Sequence, residues 1–133
     1  MTEKALSKRE LLTRALAGSP ADCMEAAKKI IGRQIAANPR TLSKIGQDKS
    51  LGTWQRIAAI YALGLLGEKE FSKILGNILS DPADDLVVRS HAAEALGNIG
   101  DSHMAGLLRD ILSRKPPKEL RDSCTYALEE LAP

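Results

Sequence analysis

The segment 88–101, VRSHAAEALGNIGD, places Val88, Ala92, Ala95, Leu96 and Ile99 at relative positions 0, 4, 7, 8 and 11. That spacing is one face of a 3.6-residue helix. The next apolar set, Met104, Leu107, Leu108, Ile111 and Leu112, predicts a second helix. Between the two, Gly100 suits a left-handed C-cap and Asp101 an N-cap. The pattern recurs. The segment 55–68 reads QRIAAIYALGLLGE, and Phe71, Ile74, Leu75, Ile78 and Leu79 repeat the second apolar set. Arg56, Arg89 and Arg121 stand 33 and 32 residues apart, and Ala62-Leu63, Ala95-Leu96 and Ala127-Leu128 keep the same steps.

A fixed period of this length is the mark of a repeat architecture. A two-helix unit cannot bury its apolar faces alone and must stack on its neighbours, which makes a solenoid. The repeats are clear over 52–80 and 84–114 and fainter over 21–48, where AAKKIIG can be laid on AAIYALG and PRTLSKIGQD supplies a second helix. The amphipathic stretch 4–17 predicts an N-terminal capping helix and 117–131 a C-terminal one. The expectation is a single all-α domain over 1–133, a right-handed α-solenoid of antiparallel helix pairs with about eight helices.

VRSHAAEALGNIGD resembles the HEAT-like repeat of phycobilisome bilin lyases, whose pattern is roughly V-R-x-x-A-A-x-A-L-G-x-I-G-D. The resemblance is close over 52–133. It implies that the repeated Arg ties adjacent repeats by pairing with a carboxylate or carbonyl at a neighbouring helix end. By register, Asp48 and Asp81 are the expected partners of Arg56 and Arg89. It also implies that the second helix of each pair lines the concave face. The surface there is polar, with Arg40, Ser43, Lys44, Lys69, Lys73, Asn77, His103, Arg109 and Asp110 as candidate partner-binding residues.

The same stretch is similar to the R-H-E-A-A-E-A-L-G repeats of the deoxyhypusine hydroxylases, HEAT-repeat enzymes that hold di-iron on His-Glu dipeptides. Here Ser90-His91 stands at the ligand positions, with Ile57-Ala58 and Asp122-Ser123 in the other copies, and no His-Glu dipeptide occurs in the chain. A di-iron centre needs several converging carboxylates and imidazoles, so no metal and no cofactor are expected. His91 reads as a partly buried core residue with a hydrogen-bond partner, His103 as exposed. Cys124 aligns with Ala59 and Ala92 and reads as a small core residue, and Cys23 as more exposed.

The helix 53–67 is apolar almost all round. Ile57, Ile60 and Tyr61 lie on the face opposite its core stripe, whereas Ser90, Ala93, Glu94, Gly97 and Asn98 give the next copy a wet face. An all-apolar helix must be covered, either by the N-terminal helix through Leu6, Leu11, Leu12 and Leu16 or by a partner. A homodimer through Ile57, Ile60 and Tyr61 is one such arrangement.

Charge changes the picture little. Residues 1–50 carry 10 basic and 5 acidic side chains, and residues 51–133 carry 9 and 12. That mild asymmetry lacks the basic, aromatic-interleaved footprint of a nucleic-acid binder. No apolar run is long enough to span a membrane. No secretory signal is read at the N-terminus, and two cysteines outside a CxxC pair fit a cytoplasmic protein. The expectation is a non-catalytic scaffold or adaptor binding another protein. The alternatives are a bilin lyase-like or chromophore-handling subunit, and an immunity- or inhibitor-type binder.

Overall fold

The structure is a computed structural model and describes residues 6–132. Among them are eight α-helices and no strand: α1 (Lys8–Ala15), α2 (Pro20–Ile31), α3 (Pro39–Gln47), α4 (Thr53–Leu66), α5 (Ser72–Ser80), α6 (Leu86–Ile99), α7 (Ala105–Ser113) and α8 (Lys118–Leu131). Single 3₁₀ turns, Lys69–Phe71 and Ser102–Met104, lead into α5 and α7. The helices form the expected solenoid of antiparallel pairs. Residues 4 and 5 of the expected capping helix lie outside the described residues.

Local chemistry sets the helix ends. Ser7 and Ser19 each accept from the backbone N–H three residues on, and Glu10 and Asp22 return the bond, so α1 and α2 start on capping boxes. Asn38 caps α3, and Asp85 caps α6 by accepting from Val87 and Val88. Gly67 and Gly100 close α4 and α6 with φ of 76° and 77°, a conformation that side chains resist.

The helices form two rows. The first, α2, α4, α6 and α8, makes the closest backbone approaches along the stack. Its spacing is set by small residues. A Cβ added at Gly64 would lie 2.8 Å from the Ala95 Cα, and one at Gly97 would lie 2.7 Å from the Ala127 Cα. Helices can approach this closely only where side chains are absent or minimal. The second row, α3, α5 and α7, packs chiefly on the first: α3 on α4, α5 on α6, α7 on α8. The first row is thus the more closely packed of the two, and the second helices form the looser side of the stack.

Between the rows lie Leu42, Ile45, Leu63, Leu75, Leu79, Leu96, Leu108 and Leu120, each almost wholly removed from water. Burial at this level contributes roughly 1.5–3 kcal/mol per large aliphatic side chain. Aliphatic residues and alanines build the core almost alone, as the scarcity of aromatics requires.

The apolar helix α4 needs no outside cover. Ile57 and Ile60 are 0% and 1% exposed within the single chain, because α4 has α2 on one side, α6 on the other and α3 behind. The expected homodimer face at Ile57, Ile60 and Tyr61 is therefore absent at its first two residues. The N-terminal helix does not cover it either: α1 packs on α3 and touches α4 at its start, where Gln55 Nε2 donates to the Thr13 carbonyl. The matching face of α6 is likewise not wet. Ser90, Ala93 and Gly97 are buried under α8, and only Glu94 and Asn98 reach solvent in part. A helix inside a row loses both flanks to its neighbours, which the pattern of one helix by itself does not reveal.

Candidate functional site

The repeated arginines are structural. Arg56 is 4% exposed. Its Nε donates to the Gly46 carbonyl at 2.9 Å, and its two terminal nitrogens donate to the two Asp84 carboxylate oxygens at 2.8 and 2.7 Å. This fork-to-fork pair ties the end of α3 to the loop before α6. The Arg56 guanidinium, by hydrogen bonding, holds the Asp84 carboxyl below its ordinary range. Arg89 repeats the carbonyl bond, its Nε donating to Leu79 at 2.9 Å. The carboxylate does not repeat, because the position 33 residues after Asp84 is Pro117. Arg121 is exposed and lies 3.9 Å from Asp122.

The expected partners of the arginines are thus corrected. Asp48 accepts from Arg9 and Ser50, and Asp81 from Lys49 and the Ala83 N–H. The carboxylate that Arg56 uses comes from the following loop, not from the preceding helix end.

Of the residues expected on the second-helix surface, Arg40, Lys44, Lys69, Lys73, Asn77, His103, Arg109 and Asp110 are exposed. Ser43 is buried at 4%, packed inside α3, and both its hydroxyl and its carbonyl accept from Gln47 Nε2. Asp110 is partly neutralised by Arg114 at 2.7 Å. These side chains are spread over the looser row and converge on no common point.

The side chains that do converge are on the first row. Tyr61 of α4, Glu94 of α6 and Tyr126 of α8 are 33 and 32 residues apart and fall at one place on successive helices. With Leu65 and Asn98 they line an open groove of about 380 Å3. Ser123 Oγ donates to Glu94 Oε1 at 3.2 Å, and the Tyr126 hydroxyl donates to Asn98 Oδ1. Burial, then the negative charges of Glu130 and Glu94, push the Tyr126 phenol above its ordinary range. Of this set only Tyr61 is a binding candidate from the sequence, where Glu94 and Asn98 read as part of a wet helix face. The period that exposed the arginines also carries Glu94 and Tyr126, and reading across the copies at that position would have found them.

His91 stands beside the groove. Its Nδ1 lies 3.4 Å from Glu94 Oε2 yet is buried without a hydrogen-bond partner, so the expected bond is not made. The ring meets Trp54 edge-on, with centroids 6.1 Å apart. His103 is exposed and contacts only Asp101, 3.1 Å away. Cys23 is 1% exposed, against the expectation of an open position, and Cys124 is 0% exposed. Both are unpaired. Burial raises both thiols, that of Cys124 to about 11, so neither is a ready nucleophile.

The three dipeptide positions do not fit a di-iron centre. Ile57 and Ala58 are buried hydrocarbon, Ser90 donates to the Leu86 carbonyl, and Ser123 donates to Glu94. Among the described residues no three His, Cys, Asp or Glu side chains are grouped to hold a metal ion. Nor, among them, is any helix long and apolar enough to cross a membrane.

Known proteins place this architecture. The chain is 37% identical over 73 residues to a deoxyhypusine hydroxylase of Arabidopsis thaliana, covering 55% of this chain and 23% of that protein. It is 30% identical over 103 residues to the deoxyhypusine hydroxylase of Drosophila pseudoobscura pseudoobscura, covering 77% and 32%. The structure of human deoxyhypusine hydroxylase in complex with glycerol superposes over 93% of this chain and 43% of that one, with a TM-score of 0.70 at 22% identity. That likeness shows the fold. The chain thus spans 23% to 32% of the length of these curated relatives. These relatives are enzymes and not bilin lyases, which overturns the expectation of a non-catalytic adaptor, together with its lyase-like and inhibitor-type alternatives. The family model described as HEAT repeats matches residues 53–129, more than half of the sequence, and the chain belongs to the HEAT-repeat family.

Proposed function

We propose that the chain serves an enzymatic reaction of the hydroxylase type for which its relatives are named, and that its own share is to receive the substrate protein along the row α2, α4, α6 and α8. The observation that carries this reading is the 37% identity over 73 residues to a deoxyhypusine hydroxylase. It is supported by the converging side chains on that same row. The di-iron chemistry that the resemblance implies does not fit Ser90, His91, Ile57, Ala58, Asp122 and Ser123, so no step through iron is assigned to this chain. A reducing compartment such as the cytoplasm suits two cysteines that are buried and unpaired.

The test is a binding measurement. Calorimetry would compare a protein carrying a deoxyhypusine side chain with the same protein carrying the unmodified lysine. Preferential binding of the modified protein is expected, and equal or absent binding of both would overturn the reading. The chain loaded with ferrous iron without oxygen and desalted should retain no stoichiometric metal; retention of it would reverse the assignment of the dipeptide positions.

A further inference from the structure

We infer that the groove between α4, α6 and α8 binds the ammonium end of a lysine-type side chain presented by another protein, with Glu94 as counter-ion and Tyr61 and Tyr126 as flanking rings. This deepens the reading above, on which it rests for the nature of the bearer, by naming the group that the first row would hold.

Three features converge. The first is placement. Glu94 is on the middle helix of the three, and the two tyrosines occupy the matching position on the helices to either side. A carboxylate between two aromatic rings is a favourable surrounding for an organic cation, because the ring faces are electron-rich and the carboxylate supplies charge. The second is charge. Among the described residues no Lys or Arg side chain is paired with Glu94 or Glu130. The basic side chain that approaches Glu94 is His91, whose Nδ1 stands 3.4 Å away without a hydrogen bond. The negative charge of Glu94 and Glu130 is nonetheless felt at the Tyr126 phenol. The third is shape. The groove is open, about 380 Å3, and Leu65 offers it an apolar wall that is 44% exposed.

These features choose among cations. A metal ion would want several carboxylates around it, and the groove lining supplies one. A quaternary ammonium would want a closed aromatic box, whereas two rings and an open side leave N–H groups able to reach Glu94 and water. An alkylammonium on an extended stem fits both parts, its methylenes along Leu65 and its head at Glu94. Ser123 already orients one Glu94 oxygen and Asn98 orients the Tyr126 hydroxyl, so the carboxylate and one ring are held before any ligand arrives.

The probe is a short peptide bearing one lysine, compared with the same peptide bearing norleucine, titrated into the full chain. The chain has two tyrosines, so their ring signals in a carbon–proton NMR spectrum, assigned with Tyr61→Phe and Tyr126→Phe, report on the groove alone. Both rings should shift saturably with the lysine peptide and stay still with the norleucine peptide. Glu94→Gln should weaken the lysine peptide by about tenfold or more, as expected for loss of a charge-assisted contact. Unmoved rings, equal response to norleucine, or unchanged binding by a folded Glu94→Gln variant would each overturn the assignment. If the rings respond while the deoxyhypusine-bearing protein shows no preference, the preceding reading falls and this one stands. Preference for that protein with silent rings would bring down this one alone.

Discussion

Replacing Asp84 with Ala tests how the repeats are locked together. In the folded chain Arg56 is 4% exposed, the side chain of Asp84 equally so, and the two meet through a double hydrogen bond. Removing the carboxylate leaves a buried guanidinium with a single partner, the Gly46 carbonyl. Stranding one member of such a pair costs about 3–5 kcal/mol. For a domain of this size that corresponds to a fall in Tm of roughly 10–20 °C, measured by circular dichroism and matched by a lower urea midpoint with unchanged slope. Replacing both partners with apolar residues, Arg56→Met with Asp84→Leu, should recover most of the loss, since desolvation of the charges then vanishes as well. The pH dependence follows from the depressed Asp84 carboxyl, whose ordinary value is 3.8. The stabilisation is fully present above that value and is lost as pH falls through the lower, folded one. The wild type should therefore show a steep acid limb below about pH 4 that the Asp84→Ala variant lacks in part. A variant that melts within about 2 °C of wild type, with the same acid limb, would refute the claim that this pair bears on stability.

Other outcomes follow from the same packing. Arg89→Ala should cost only about 0.5–1.5 kcal/mol, one neutral-acceptor hydrogen bond, because Pro117 stands where Asp84 does in the previous copy; a loss as large as that of Asp84→Ala would contradict this. Gly97→Ala should destabilise by about 1–3 kcal/mol, since the new methyl meets the Ala127 backbone at 2.7 Å. Gly106→Ala should do the opposite by about 0.5 kcal/mol, as nothing lies within 4 Å of a Cβ there; two shifts of the same sign in thermal melts would refute the close contact between α6 and α8. Cys23 and Cys124, buried and raised in pKa, should resist a thiol reagent at pH 8 in the native chain and both react once it is denatured, and rapid native labelling would count against the packing.

The repeat, the helix ends and the rows of apolar positions were legible in the sequence because each depends on near neighbours in the chain. Gly100 and Asp101 behave as their chemistry requires, and Arg56 and Arg89 stand on matching rungs. What could not be read depends on which helix lies beside which. Asp48 and Asp81 keep register with the arginines, which Asp84 does not, and only the stacking of the helices brings Asp84 to Arg56. Ile57 looked uncovered because α6, thirty residues on, is what covers it. Cys23 seemed open for the same reason. Glu94 reads as an ordinary solvent residue of an amphipathic helix until Tyr61 and Tyr126 are brought to either side of it. The likeness to the enzyme relatives was legible in the frame Arg89, Ala92, Ala93, Glu94, Ala95, Leu96 and Gly97, but not at the dipeptide positions, which here hold other side chains.

The glycine-to-alanine contacts at Gly64 and Gly97 give the stack unequal compliance. One edge is pinned by backbone against backbone, with no side chain to bend, while the opposite edge is joined through longer side chains that can rotate. Under strain the molecule will behave like a fan held at its pivot, its outer ribs spreading while the inner ones keep their pitch. Amide exchange should then be slowest along α6 and faster in α5 and α7, and the distances among Tyr61, Glu94 and Tyr126 will outlast motions that reshape the rest of the surface.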